Sequence, residues 1–213
     1  MYVHKERRIG YMAHMKVGSQ GVRDVLMARG FTQIYGHHGG PWVGRQHKFN
    51  DAGQDWWWRN GSSRHWRFAC TVRNHFDILR TYWYWTQKGL GAFPQEVDVL
   101  ASFVERFMWQ RVPHFHTSGR LYRFVQEVPG VEVWHFEDQR ERLNHWLWSY
   151  GLEELGGDEY VTGQPKAGHF TPEKPTQDWT QDYTPTTRQW VEARFGQEMA
   201  ELGYCYTGQA PWA

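Results

Sequence analysis

The sequence predicts an α/β fold, a three-layer sandwich around a central, mainly parallel sheet, and three observations carry that reading. A short apolar run, a glycine-containing loop and a stretch of helical periodicity follow one another near the start. The same strand-turn-helix unit recurs from Trp66 onward and again from Val131. Strands that alternate with helices favour parallel pairing, because each return crossing is made by a helix.

Taken in order, Ile9 to His14 reads as the first strand and Met15 to Gly21 as a loop with two glycines. Val22, Val25, Leu26 and Arg29 then recur at helical spacing, and Gly30 is placed to end that helix in a left-handed turn. Phe31 to Tyr35 reads as a second strand opening into Gly36-His-His-Gly-Gly-Pro41, which suits neither regular element. A polar and aromatic insertion at about 42–65 shows neither period, as functional insertions often do.

Trp66 to Val72 is the clearest strand, followed by a turn over Arg73 to Asp77 and a helix carrying Ile78, Leu79, Tyr82 and Trp83. Leu100, Phe103, Val104, Phe107 and Met108 mark a further amphipathic helix that Pro113 ends. Val131 to Phe136 reads as a strand, and Leu143, Trp146, Leu147 and Tyr150 as a helix closed by Gly151. After an irregular segment at about 156–182, Thr184-Pro185 caps and starts a last helix that buries Val191, Phe195, Met199 and Leu202.

A length of 213 residues fits a single domain over 1–213. With 24 Lys+Arg against 23 Asp+Glu, no broad field favours nucleic acid or an anionic membrane, so an anion site has to be local. The run from Met1 to Met15 is too short and too charged for a signal or a membrane span. Cys70 and Cys205 lack the density of a disulfide scaffold, and a reducing cytoplasm is the simpler expectation. The 14 Trp, 12 Phe and 11 Tyr exceed what a core of this size needs, which points to aromatics lining a cleft.

In an open parallel sheet, ligands bind beyond the carboxyl ends of the strands. The loop there, Lys16-Val17-Gly18-Ser19-Gln20-Gly21-Val22, offers an ammonium, a hydroxyl and backbone N–H groups at a helix start, the parts that cradle a phosphate. Its lysine precedes the glycines, so it is not a Walker A loop. Arg73 puts a guanidinium at the next strand end and Thr81 a hydroxyl two helical turns on, both able to converge on one phosphate.

These residues carry a resemblance. Lys16-Val-Gly-Ser-Gln resembles the 5′-phosphosulfate loop of sulfotransferases, commonly P-K-x-G-[GT]-[ST]. Val72-Arg-Asn-His-Phe-Asp-Ile-Leu-Arg-Thr81 resembles their 3′-phosphate motif, commonly V-R-N-P-x-D-R-x-x-S, and is the more specific match. Trp134-His-Phe-Glu-Asp138 is similar to the family's R-[FY]-E-[DN]-L segment, and Tyr183 through Phe195 to Tyr206 to the C-terminal helix of its carbohydrate-type members. Met15 stands where the family has proline, Gln20 and Gly21 where hydroxyls are common, His75 for proline and Thr81 for serine.

The resemblance implies a P-loop-NTPase-like fold that moves a sulfuryl group from 3′-phosphoadenosine-5′-phosphosulfate (PAPS) to an acceptor hydroxyl or amine, releasing adenosine 3′,5′-bisphosphate (PAP) without a metal. Lys16 would contact the leaving oxygen, with Val17 to Val22 as loop contacts. Arg73 and Thr81 would hold the 3′-phosphate, and Lys166 would close over the nucleotide. A sugar or phenol is the expected acceptor.

A base with a pKa near working pH is best supplied by histidine, and His37 and His38 follow the second strand directly, with His47, Asp51 and Asp55 as fallbacks. Neither His37-His38 nor His114-Phe-His116 has the spacing of a zinc site. Two other readings compete. A phosphoryl-transfer enzyme would share the strand-loop-helix start but needs the missing Walker lysine. A non-catalytic nucleotide- or carbohydrate-binding module would keep the fold without turnover.

Overall fold

The structure is a computed structural model that describes residues 1–13, 19–33, 65–87, 125–126, 128–157, 179–206 and 208–209. The chain forms two compact units, Met1–Val72 with Pro113–Gln164, and Arg73–Val112 with Pro165–Ala213. The expected helix from Leu100 to Met108 lies outside the described residues.

The first unit is built on a five-stranded sheet. Its strands are β1 (Tyr2–His4), β2 (Ile9–Met12), β3 (Thr32–Gln33), β4 (Arg67–Val72) and β5 (Glu132–His135), in the order β3-β1-β2-β4-β5. The β2–β4 and β4–β5 pairs are parallel, whereas β1 pairs antiparallel with β2 and with β3. The parallel centre is thus as expected, and the antiparallel edge is not. Strand β1 escapes a sequence reading because it is three residues long and turns back through the charged run Lys5–Arg8. Arg8 there adopts a left-handed φ of 54°.

Helix α1 (Ser19–Ala28) follows β2, and α3 (Gln139–Ser149) follows β5 through a short 3₁₀ turn, Phe136–Asp138. Both helices end as their glycines predict. Gly30 at φ 82° lets Phe31 N–H reach the Leu26 carbonyl at 3.1 Å, and Gly151 at φ 64° lets Leu152 N–H reach that of Leu147 at 3.0 Å. These are Schellman closures, in which the glycine takes the backbone conformation that a Cβ resists.

The apolar faces of α1 and α3 meet one face of the sheet. Val22, Val25 and Leu26 from α1, and Leu143, Trp146 and Leu147 from α3, cluster with Ile9, Tyr11, Ala69 and Trp134. Trp134 stacks on Tyr11 at 5.5 Å and meets Trp146 edge-on at 5.5 Å, and Trp146 goes on to Phe31 and Tyr150. Among the described residues, Trp134, Trp146, Tyr2, Tyr11, Tyr204, Phe68 and Phe76 are fully buried, so part of the aromatic content is core. Truncating one such tryptophan to alanine costs about 3–5 kcal/mol. Along β4 the residues of the other face, Phe68, Cys70 and Val72, are buried as well. Gly10 is opposite Phe68, and a Cβ there would lie 2.6 Å from the Phe68 ring, so only glycine admits that ring.

A polar knot is set into this core. The Tyr11 hydroxyl donates to Thr71 Oγ1 at 2.8 Å and the Gln139 amide donates to the same oxygen at 2.7 Å, with all three side chains fully buried. It joins β2, β4 and the first residue of α3.

The second unit holds α2 (His75–Gln87), a 3₁₀ turn at Trp179–Asp182, α4 (Pro185–Glu201) and the hairpin β6 (Tyr204–Cys205) and β7 (Gly208–Gln209). Helix α2 starts at His75, so the expected turn over Arg73 to Asp77 is only two residues long before helix begins. Asn74 explains the early start: its Oδ1 accepts the Phe76 N–H at 3.0 Å, while its carbonyl takes the Ile78 N–H. That is a side-chain cap. Helix α4 starts as its sequence predicts, with the Thr184 hydroxyl accepting the Thr187 N–H at 3.2 Å and Pro185 in the first turn. The Tyr183 hydroxyl donates to the Phe76 carbonyl at 2.6 Å, and Arg80 pairs with Asp182, which ties α2 to the segment before α4.

Candidate functional site

In the first unit, β2 ends at Met12 and α1 begins at Ser19. Ser19, Gln20, Gly21 and Val22 are the first four residues of α1, one turn earlier than the loop reading placed the helix. The N–H groups of a first turn have no acceptor inside their own helix and carry the positive end of its dipole. Val22 is fully buried in the core and is the fourth helical residue, where the N–H already has an acceptor within the helix, so its role is structural and the unshared N–H groups are those before it. Lys16, Val17 and Gly18 lie outside the described residues, as do the side chains of Ser19 and Gln20.

In the second unit, Arg73 directly follows the last residue of β4. Its side chain is only 6% exposed and its guanidinium is fixed on Asp77: Nε–H donates to Oδ2 at 2.7 Å, and the NH2 group contacts the same oxygen. Thr81 turns to the same residue, its hydroxyl donating to the Asp77 main-chain carbonyl at 2.7 Å. The two members of the expected 3′-phosphate pair are thus both bonded to Asp77, one through its carboxylate and one through its backbone.

Asn74 adds a tether. While Oδ1 caps α2, Nδ2 donates to the Cys205 carbonyl at 2.7 Å, so β6 is held against the start of α2. Spacing alone makes these roles readable: an acid four residues after an arginine at a helix start invites an ion pair, and an asparagine just before the first helical residue invites a cap. A buried guanidinium with a fixed plane, beside a hydroxyl and a helix N-terminus, is suited to an oxyanion with several acceptor oxygens.

The remaining candidates, His37, His38, His47, Asp51, Asp55, Lys166, His114 and His116, lie outside the described residues. Among the described residues, no helix is long and apolar enough to cross a membrane. Cys70 and Cys205 are not joined in a disulfide, and burial pushes the Cys70 thiol from 9.0 up to about 12.

Compared by sequence, the chain matches no family model and no curated protein. Compared by structure, it is similar to mouse sulfotransferase SULT7A1 complexed with PAP, at a TM-score of 0.55 and 14% identity over 91% of this chain and 85% of that one. A sulfotransferase from Alicyclobacillus acidocaldarius aligns over 92% of this chain and 93% of its own, with 12% identity and a TM-score of 0.46. The α/β fold of this chain is that of the sulfotransferases.

Proposed function

We propose that the protein is a sulfotransferase that takes a sulfuryl group from PAPS and passes it to an acceptor hydroxyl or amine. The observation that carries this reading is the Arg73–Asp77–Thr81 cluster. It directly follows β4 in the chain, and its residue order resembles the family's 3′-phosphate motif. The likeness of fold to a PAP-bound sulfotransferase supports it.

The roles follow from the chemistry of each group. Arg73, held rigid by Asp77, binds the 3′-phosphate of the donor, and the Thr81 hydroxyl adds a second donor to it. Lys16, Val17, Gly18 and the amides of Ser19 to Gly21 take the 5′ end, where the helix dipole favours negative charge. The bound donor supplies an activated sulfuryl group on a good leaving group. Lys16 neutralises the charge that grows on the leaving oxygen, and His37 or His38 removes the acceptor proton. Lys166 closes over the nucleotide. A sugar or phenol fits the tryptophans of the 42–65 insertion, which supply stacking faces.

A thermal-shift titration tests this reading. Adenosine 3′,5′-bisphosphate at a hundred times its Kd stabilises the fold by roughly 2.7 kcal/mol, a shift of several degrees. Magnesium with a nucleoside triphosphate should do less, and Arg73→Ala should abolish the shift. A larger shift with the triphosphate would favour a phosphoryl-transfer enzyme instead. A shift without sulfated product, across a panel of sugars and phenols with labelled PAPS, would favour a binding module.

A further inference from the structure

We infer that His75 is a positioning residue for the 3′-phosphate grip, holding the turn that carries Arg73 by clamping it to α4. The inference rests on the proposed function and concerns a residue at which this chain departs from the family pattern.

Where the pattern has proline, this chain has His75, the first residue of α2. Proline at that position fixes φ within its own ring and so presets the turn leading into the helix. Histidine does not, and the turn has to be held from outside. The His75 ring is 2% exposed, stacks on Phe195 at 4.7 Å between centroids with an interplanar angle of 21°, and brings Nε2 within 3.3 Å of Glu198 Oε1. Phe195 and Glu198 lie one turn apart on α4, so the ring is gripped between one face of that helix and its own.

The approach of Nε2 to Glu198 lacks hydrogen-bond alignment, and neither ring nitrogen makes a hydrogen bond. A buried polar ring left in that condition costs stability that an apolar side chain would not, so packing alone does not account for a histidine here. Its neighbours complete the clamp. Asn74 binds Cys205 and caps α2, and Arg73 binds Asp77, so three consecutive side chains fasten the turn to β6, α4 and α2. The product of this fastening is the fixed plane of the Arg73 guanidinium, on which discrimination for a 3′-phosphate depends.

Calorimetric titration with adenosine 3′,5′-bisphosphate and with adenosine 5′-monophosphate separates positioning from a general structural role. His75→Ala should reduce the preference for the bisphosphate by roughly tenfold while leaving affinity for the monophosphate unchanged. His75→Pro should restore the preference, because the ring presets the same turn. If His75→Ala fails to fold, Glu198→Gln keeps the shape of the clamp, removes its charge and should lower the same ratio. Wild-type protein with the preference and His75→Ala with it undiminished would overturn the inference and leave the proposed function standing. Wild-type protein that does not distinguish the two nucleotides would overturn both.

Discussion

Asp77 holds Arg73 from one helical turn away, with the Arg73 Nε–H on Oδ2 at 2.7 Å and the two side chains 6% and 14% exposed. A pair this shaded from water is stronger than a surface ion pair and more damaging to break, because the remaining charge stays buried. The pair sets the plane of the guanidinium before any anion arrives. Asp77→Asn, which keeps the shape and loses the charge, should weaken adenosine 3′,5′-bisphosphate binding by roughly tenfold, the worth of one charge-assisted hydrogen bond. The far-ultraviolet circular dichroism should not change. Unaltered affinity in a titration would mean that Arg73 is oriented by something else.

Thr81 is the companion case. Its hydroxyl donates to the Asp77 carbonyl, so a phosphate has to draw that proton away from the helix backbone. Thr81→Ser keeps the hydroxyl and should bind the bisphosphate within about twofold of wild type, whereas Thr81→Val, the isostere without it, should lose a hydrogen bond to an anionic oxygen, about 1.5 kcal/mol or roughly tenfold. Equal affinity in the two variants would remove Thr81 from the site.

What the sequence disclosed follows the range over which each signal acts. Gly30, Gly151 and Thr184-Pro185 were legible because helix ends are set by one or two residues, and all three behave as read. Strand β4 and the helices after it were legible from continuous apolar patterning. Strand β1, the antiparallel pairing of β3 and the β6–β7 hairpin were not, since strands of two or three residues are too short to show an alternating pattern and take their identity from the strand they pair with. The motif named Arg73 and Thr81, and their common attachment to Asp77, four residues from each, was open to the same local reading, whereas the reach of His75 to Glu198, 123 residues away, was not.

The Tyr11–Thr71–Gln139 knot makes a prediction about stability. Thr71→Val removes the one oxygen that accepts from Tyr11 at 2.8 Å and from Gln139 at 2.7 Å, in a region with no access to water. The expected loss is about 1–3 kcal/mol, read as a lower urea midpoint with an unchanged slope. Thr71→Ser keeps the oxygen and should fall between the variant and wild type, losing only a methyl group's packing. A Thr71→Val protein as stable as wild type would show that the core repacks around the lost acceptor.

Lys16 is assigned to charge that develops during transfer, so its removal should affect rate more than binding. Lys16→Ala should lower kcat by roughly a hundredfold or more while changing the Kd for adenosine 3′,5′-bisphosphate by less than about tenfold. Single-turnover rates and a calorimetric titration on the same preparation give the two numbers. Equal losses in both would make Lys16 a ground-state binding residue.

Cys70 predicts how stability responds to alkali. The thiol is fully buried, and desolvation raises it from 9.0 to about 12, because the thiolate is the form that burial penalises. Between those values the unfolded chain gives up the proton and the folded chain keeps it, so the unfolded state binds fewer protons and stability falls as pH rises. The slope from this one group is about 1.4 kcal/mol per pH unit above pH 9. Tyr2, raised by burial from 10.0 to about 12, and Tyr183, also raised by burial, add to the decline from pH 10 upward. Melting temperatures between pH 8 and pH 10 should therefore drop more steeply for wild type than for Cys70→Ala. At pH 8 a thiol reagent should modify the half-buried Cys205 and spare Cys70 until the protein unfolds. Rapid labelling of Cys70 in the native protein, or parallel melting curves for the two proteins, would contradict a thiol sealed in the sheet.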